Sequence, residues 1–280
     1  MNDPSTQSSS SGPRTARTFL FVPGTRPERF AKAAASGADE IIIDLEDAVN
    51  PEDKERARDL ALEGLRTTAA VVRINSVGTP WYEADLAALS GATGLRGVVL
   101  PKAESEDVIA HVVTALPPGI AILPLVESAR GIQNASLIAA ADGVTRLLFG
   151  NLDFALDSGI TVRSDTEDEL LYARSALVVA SRAAGLPGPV DGPVPEINDD
   201  TLCSRRSVRA LSLGFSGKLC IHPRQIPLVH QAFAPTAEEV AWATQVLVAV
   251  NGATEGAVKV DGKMIDRPVI LRAENILARR

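Results

Sequence analysis

From Thr18 onward, short apolar runs rich in β-branched residues alternate with longer segments in which Ala and Leu are interspersed with charges at helical intervals. The runs cover residues 19–22, 40–43, 70–74, 97–100, 120–126, 144–149, 188–190 and 218–221. They are close to continuously apolar, as strands covered on both faces are. Residues 27–36, 51–66, 83–89, 106–116 and 169–184 read as the helices between them. Eight strand-helix units predict an α/β fold, a (β/α)8 TIM barrel, with its functional groups at the C-terminal ends of the strands. The seventh run is the weakest, because Leu186-Pro-Gly-Pro-Val190 has two prolines and only one β-branched residue. A doubly wound sheet is the structural alternative.

Beyond the eighth unit, residues 235–250 predict one more amphipathic helix, opened by the cap-like Thr236 with Glu238 and Glu239 in its first turn. A polar break over residues 251–256 leads to a last segment, 257–280, that reads as an arm or lid. The expected organisation is a Ser-rich disordered tail (1–17), a barrel (18–234), and a C-terminal helix with a lid (235–280).

Composition narrows the partners. With 28 basic against 35 acidic residues and a formal charge of -7, a general nucleic-acid surface is not expected, although a local basic pocket for phosphates is compatible with it. The two cysteines, Cys203 and Cys220, have no CxxC spacing, which argues against a disulfide framework or zinc site and for a reducing cytoplasm. No apolar run approaches the roughly 18 residues that span a bilayer, so no membrane partner is expected. The first 17 residues lack the apolar centre of a secretory signal.

Candidate chemistry sits where the runs end. The run 120–126 delivers Glu127, and the run 144–149 is followed by Asp153. Two carboxylates at neighbouring strand ends, about 4.8 Å apart, repel unless one is protonated or a cation lies between them. A hard divalent ion, Mg²⁺ or Mn²⁺, suits such oxygen ligands. Asp44, Glu46 and Asp47 follow the second run too closely to be only the cap of a later helix. Arg73 interrupts an apolar strand, so it needs an anionic partner, and Asp44 or Glu46 could serve. Lys102 is either a Schiff-base nucleophile or a partner of the acid cluster. Of the histidines, His222 follows a strand, whereas His111 and His230 lie in helical patterns.

Taken in order, Leu20-Phe-Val-Pro-Gly24, Asp44-Leu-Glu-Asp-Ala-Val49, Arg73-Ile-Asn75, Leu100-Pro-Lys102, Val126-Glu-Ser-Ala-Arg-Gly131, Phe149-Gly150 leading to Asp153, and Lys218-Leu-Cys-Ile-His-Pro223 resemble the citrate lyase β-subunit/malyl-CoA lyase family of TIM-barrel enzymes. The resemblance runs from about Arg17 to the C-terminus. It implies a homo-oligomeric (trimeric or hexameric), Mg²⁺-dependent carbon-carbon lyase acting on a 3-hydroxyacyl-CoA thioester. By motif position, Glu127 and Asp153 become the metal ligands, and Arg73 the substrate arginine. Phe21, Arg26, Lys32, Leu152, Ile221 and His222 line the substrate and CoA site. Glu46 and Asp47 hold metal waters and the substrate hydroxyl. Asn151-Leu152 departs from the small or acidic residues usual before the aspartate. Gly262-Lys-Met-Ile-Asp-Arg-Pro268 resembles the C-terminal segment of malyl-CoA, β-methylmalyl-CoA and citramalyl-CoA lyases, in which an aspartate reaches a neighbouring active site. This makes Asp266 the expected proton-transfer group; without the resemblance it reads as a surface residue or cap. A citrate lyase β-subunit, a metal-dependent 2-keto acid aldolase and a CoA-binding scaffold without turnover are the rival readings.

Overall fold

The computed structural model of the protein describes residues 12–251, 259–260 and 263–280. Eight parallel strands close into a barrel in sequence order: β1 (Thr18–Pro23), β2 (Glu40–Asp44), β3 (Ala70–Arg73), β4 (Leu95–Leu100), β5 (Ala121–Val126), β6 (Leu148–Phe149), β7 (Val190–Asp191) and β8 (Gly217–Cys220). The pairing of Thr18 with Lys218 and of Leu20 with Cys220 joins β1 to β8 and rules out the open, doubly wound alternative. Around the barrel lie α1 (Phe30–Ala34), α2 (Lys54–Leu65), α3 (Tyr82–Leu89), α4 (Glu106–Ala115), α5 (Ala129–Gln133), α6 (Ala135–Ala140), α7 (Asn151–Asp157), α8 (Leu171–Ala183), α9 (Asp200–Leu213) and α10 (Gln225–Phe233).

The barrel interior is filled by Phe19, Ile42, Val71, Val99, Leu123, Leu125, Leu148, Val190 and Leu219. Each such side chain, fully buried, contributes about 1.5–3 kcal/mol. Because strand side chains alternate faces, the positions two residues further along point the same way. Those positions include Phe21, Asp44, Arg73, Glu127 and Gly150. The same period that fills the core therefore carries polar groups to the barrel mouth.

The opposite end is closed by Arg146, which is fully buried and donates to Ala16 O (2.5 Å), Gly188 O (2.8 Å) and Ser216 Oγ (2.7 Å). Of the run 144–149, only Leu148–Phe149 pairs as a strand, with a single bridge from Val144 to Ile122 before it. The seventh strand is also short, starting at Val190 instead of 188 and ending at Asp191, since Pro189 has no amide hydrogen for the ladder.

Asp191 and Lys218 sit one residue out of step with the inward Val190 and Leu219, so they face the helix layer. There Asp191 accepts from Arg174 Nε at 2.8 Å and Lys218 Nζ at 2.6 Å. Burial raises its pKa, but the charges of Lys218 and Arg174 outweigh that and hold it below the usual range. The strand-end carboxylate Asp191 is thus neutralised within the wall, outside the group of acids at the mouth.

The chain divides at Ala232 into two compact units. In the second, α11 (Ala237–Asn251) packs on α12 (Arg267–Ala278) through Ala243, Val246, Ala273 and Ile276. The cap at Thr236 is reciprocal: Thr236 Oγ1 accepts from Glu239 N at 3.1 Å, and Glu239 Oε2 accepts from Thr236 N at 2.9 Å. Short antiparallel strands β9 (Lys259–Val260) and β10 (Lys263–Met264) lie between the two helices in sequence. Most of the expected N-terminal tail (1–11), the break over 252–256 and Gly262 lie outside the described residues. No helix among the described residues is long and apolar enough to cross a membrane.

Candidate active site

Arg73, Glu127, Leu152 and Asp153 line one pocket at the barrel mouth together with Phe21, Leu125, Gly150, Asn151, Pro193 and Leu219. Arg73 ends β3 and is held on several sides. It makes a two-pronged pair with Asp44 (Nε to Oδ1 2.7 Å, Nη2 to Oδ2 2.6 Å), and its Nη1 lies 3.1 Å from Asp47 Oδ2 and 3.2 Å from Glu46 Oε2. Its guanidinium also lies 4.8 Å from the centre of the Phe21 ring. Burial lowers the arginine's pKa, but Asp44, Glu46 and Asp47 more than reverse this, so the charge is secure. The acid partner required by its buried position is present, and the side chain still reaches the pocket.

The loop after β2 takes its shape from Asp44 and Lys54. Asp44 accepts from the amides of Glu46 (2.9 Å) and Ala48 (3.1 Å), while Lys54 Nζ donates to the carbonyls of Leu45 (2.8 Å) and Glu46 (2.7 Å). Glu46 is thereby turned inward and buried, whereas Asp47 stays exposed. Glu46 Oε1 accepts from Ser76 Oγ at 2.6 Å and Lys102 Nζ at 3.1 Å. Lys102 is therefore a partner of the acid cluster. Asn75 points elsewhere: its amide and side chain both donate to Asp85 Oδ2.

Glu127, one residue beyond β5, is 3 % exposed and accepts from Lys102 N at 2.9 Å. Burial, then the charge of Glu46 and more weakly that of Asp153, push its pKa up to about 8 against the pull of Lys102 N and Arg73. Asp153 comes from the first turn of α7, not directly from a strand end as the sequence pattern suggested. With all of them ionised, five carboxylates (Asp44, Glu46, Asp47, Glu127, Asp153) would exceed three cations (Arg73, Lys102, Lys54) in this region, a deficit of two positive charges that the raised Glu127 relieves only by keeping its proton. A divalent ion fits that deficit and would reverse the repulsion at Glu127. Among the described residues no third His, Cys, Asp or Glu completes a ligand cluster. Two carboxylates with the remaining positions left to water and substrate is the coordination that Mg²⁺ favours.

The other expected contacts occupy the rim. Arg26 is exposed and pairs with Glu28 at 2.7 Å, and Lys32 is exposed on α1. Ile221 and His222 are exposed after β8, their amides donating to Gln225 Oε1. Because β8 neighbours β1, these four residues share one sector of the barrel, outside the pocket that contains Arg73. Asp266 belongs to the C-terminal unit, where it caps α12 by accepting from Val269 N at 3.2 Å. His111 contacts Glu83, and His230 contacts Gly37 O, as structural histidines do. Ser76, Lys54 and the pocket walls Leu125, Pro193 and Leu219 were missed by sequence reasoning. Of these, only Lys54, a lysine beginning a helix directly after an acid cluster, carried a signal.

An acid-lined pocket at the C-terminal mouth of a parallel barrel defines a (β/α)8 protein equipped for chemistry with a divalent cation. The chain belongs to the HpcH/HpaI aldolase/citrate lyase family, which matches it over residues 17–223. It is 36 % identical over 283 aligned positions to the citrate lyase subunit beta of Leuconostoc mesenteroides subsp. cremoris, covering 94 % of this chain and 93 % of that one. It is 33 % identical over 300 positions to an L-malyl-CoA/beta-methylmalyl-CoA lyase of Cereibacter sphaeroides, covering 94 % of each. The fold superposes on crystalline CitE from Mycobacterium tuberculosis, solved with magnesium, acetoacetate and coenzyme A, at a TM-score of 0.82 and 38 % identity over 95 % of this chain and 98 % of that one. These relatives are carbon-carbon lyases.

Proposed function

We propose that the protein is a Mg²⁺-dependent carbon-carbon lyase that cleaves, or forms by Claisen condensation, a 3-hydroxyacyl-CoA thioester of the malyl, methylmalyl or citramalyl type. The products of cleavage are an acyl-CoA and glyoxylate or pyruvate. The observation that carries this reading is the pocket in which Glu127 and Asp153 stand beside the charge-secured Arg73. CoA in the Mycobacterium tuberculosis structure and the CoA thioesters in the Cereibacter sphaeroides relative's name support the substrate class.

Glu127 and Asp153 would hold the ion, with Mn²⁺ as a substitute. When bound there, Mg²⁺ supplies Lewis acidity to the keto-acid end of the substrate. Arg73 stabilises the oxyanion that develops as the carbon-carbon bond breaks, and its clamp by Asp44 keeps it oriented in advance. Glu46 and Asp47 hold the substrate hydroxyl and ordered water. Phe21 and Leu152 flank the reacting end, while Arg26, Lys32, Ile221 and His222 form the sector that meets CoA, the two cations facing its phosphates. The hydroxyl proton leaves to the water that Glu46 and Asp47 hold, and Asp266 exchanges the proton at the enolate carbon of the departing acyl-CoA. We further propose a cytoplasmic homo-oligomer, trimer or hexamer, that places this arm over an active site.

A citrate lyase β-subunit is the second reading, favoured by the identity with the Leuconostoc protein. Incubating the purified protein with a panel of 3-hydroxyacyl-CoAs, and detecting acyl-CoA and keto acid by mass spectrometry, separates the two. Turnover of free thioesters, abolished by EDTA and restored by Mg²⁺ or Mn²⁺, is expected. Glu127→Gln and Asp153→Asn should each weaken metal binding without unfolding the protein. Full activity in excess EDTA overturns the metal assignment, and activity only with a citryl carrier protein and co-purifying subunits establishes the second reading.

A further inference from the structure

Lys102 is one of two non-glycine residues with positive φ among the described residues, at +49°. A left-handed backbone costs an L-residue about 1–2 kcal/mol, and such strain persists where the surroundings impose it. Glycine would adopt this conformation freely. The strained peptide directs Lys102 N to Glu127 Oε1 at 2.9 Å, and Ala103 N then donates to Leu125 O at 3.1 Å. From the same residue, Nζ reaches Glu46 Oε1 at 3.1 Å. Glu127 follows β5 and Glu46 follows β2, with β3 and β4 between them in the barrel. One residue therefore ties together two acids from non-adjacent strands.

The far end of Glu46 extends the connection. Its Oε1 is shared between Lys102 Nζ and Ser76 Oγ, while Oε2 lies 3.2 Å from Arg73 Nη1. Without the ammonium group, Glu46 would keep Arg73 beside Oε2 but only the neutral Ser76 hydroxyl on Oε1. Lys102 is half-exposed, so the side chain is not retained to fill core volume.

We propose that Lys102 is a positioning residue with two separable tasks: its main chain fixes Glu127, and its ammonium group fixes Glu46 against Arg73. The proposal rests on the reading of Glu127 as a metal ligand. A lysine occupies a position that glycine would fill without strain because only the first task belongs to the backbone.

Lys102→Gly separates the tasks, since it permits the same backbone and keeps the amide while removing the cation. Mn²⁺ affinity, read by electron paramagnetic resonance, should tighten several-fold in this variant, because Glu127 stays held and one positive charge leaves the site. In the thioester assay kcat should fall by up to roughly 10²-fold, the effect of a misplaced group near the reacting atoms, with KM changing far less. Lys102→Arg should recover part of the kcat by restoring a cation to Glu46. Parental Mn²⁺ affinity in Lys102→Gly, or weakened affinity falling in proportion to kcat, overturns the division of tasks. Parental kcat overturns the role of the ammonium group. Absence of Mn²⁺ binding in the parent protein instead overturns the metal reading, and the proposal with it.

Discussion

Gly150 lies so close to Glu127 that a β-carbon added to it would stand 2.5 Å from the Glu127 Cβ and closer still to Oε2. The glycine that follows the sixth strand thus leaves the space into which the candidate metal ligand folds. In Gly150→Ala the obstacle includes Glu127 Cβ, which cannot swing aside as a side-chain tip could. Overpacking of this kind costs about 1–3 kcal/mol. We expect Gly150→Ala to remain folded with a lowered melting temperature, and to lose Mn²⁺ affinity at least tenfold. Calorimetric titration beside a thermal melt checks both; unchanged affinity would mean that Glu127 is not a ligand or is held elsewhere.

Arg73→Lys should behave as a severe loss. Lysine cannot make the two-pronged pair with Asp44 while also reaching Asp47 and Glu46, because it lacks the planar fork. A fall of at least 10²-fold in kcat/KM is expected, in line with removal of an oxyanion donor. Steady-state kinetics near the parental values would return Arg73 to a purely structural role.

Asp266 caps α12, so its substitution needs care. Asparagine caps about as well as aspartate, whereas alanine costs about 1 kcal/mol. Asp266→Asn should therefore keep the fold and CoA binding yet lower turnover by roughly 10²–10⁴, the usual contribution of a positioned acid-base group. Exchange of acetyl-CoA methyl protons with deuterated solvent should fall in parallel. If the arm serves a neighbouring subunit, mixing inactive Asp266→Asn with inactive Arg73→Ala chains restores some activity. Unchanged turnover in Asp266→Asn would leave Asp266 as a cap alone.

A pH effect on stability, separate from the active site, is expected at Glu40. Burial, opposed by Arg96, pushes this carboxyl up to about 7 from an ordinary 4.5. Between those values the unfolded chain has released a proton that the folded chain retains, so stability falls as pH rises through the window and the penalty is complete above it. Glu40→Gln carries no such penalty. Its urea midpoint, relative to that of the parent, should rise between pH 5 and pH 8; a constant difference would show that Glu40 is already ionised beside Arg96 at the lower pH.

Strand number and order were legible because parallel strands buried on both faces must be written as apolar runs. The runs 19–22 and 40–43 reappear, slightly extended, as β1 and β2. The run 144–149 kept only its last two residues as strand, and nothing local says that Arg146 enters the barrel floor and binds carbonyls from distant segments. Asp191 shows the same limit. Its strand-end position resembles that of Glu127, but it lies one residue out of the inward phase and meets Arg174 and Lys218 in the wall.

The amino-acid sequence by itself determined the barrel and the family, and it singled out the candidate residues for chemistry, because periodicity and motif order are local properties of the chain. Tertiary structure alone decided which acids share a cation at the mouth and which are neutralised within the wall. Asp44 and Arg73 are 29 positions apart, and Lys102 is 56 positions from Glu46 and 25 from Glu127. Their charges acquire meaning only when closure of the barrel brings separate strand ends to one mouth, where low exposure makes the pairing of Arg73 with Asp44 strong and an unpaired buried carboxylate costly.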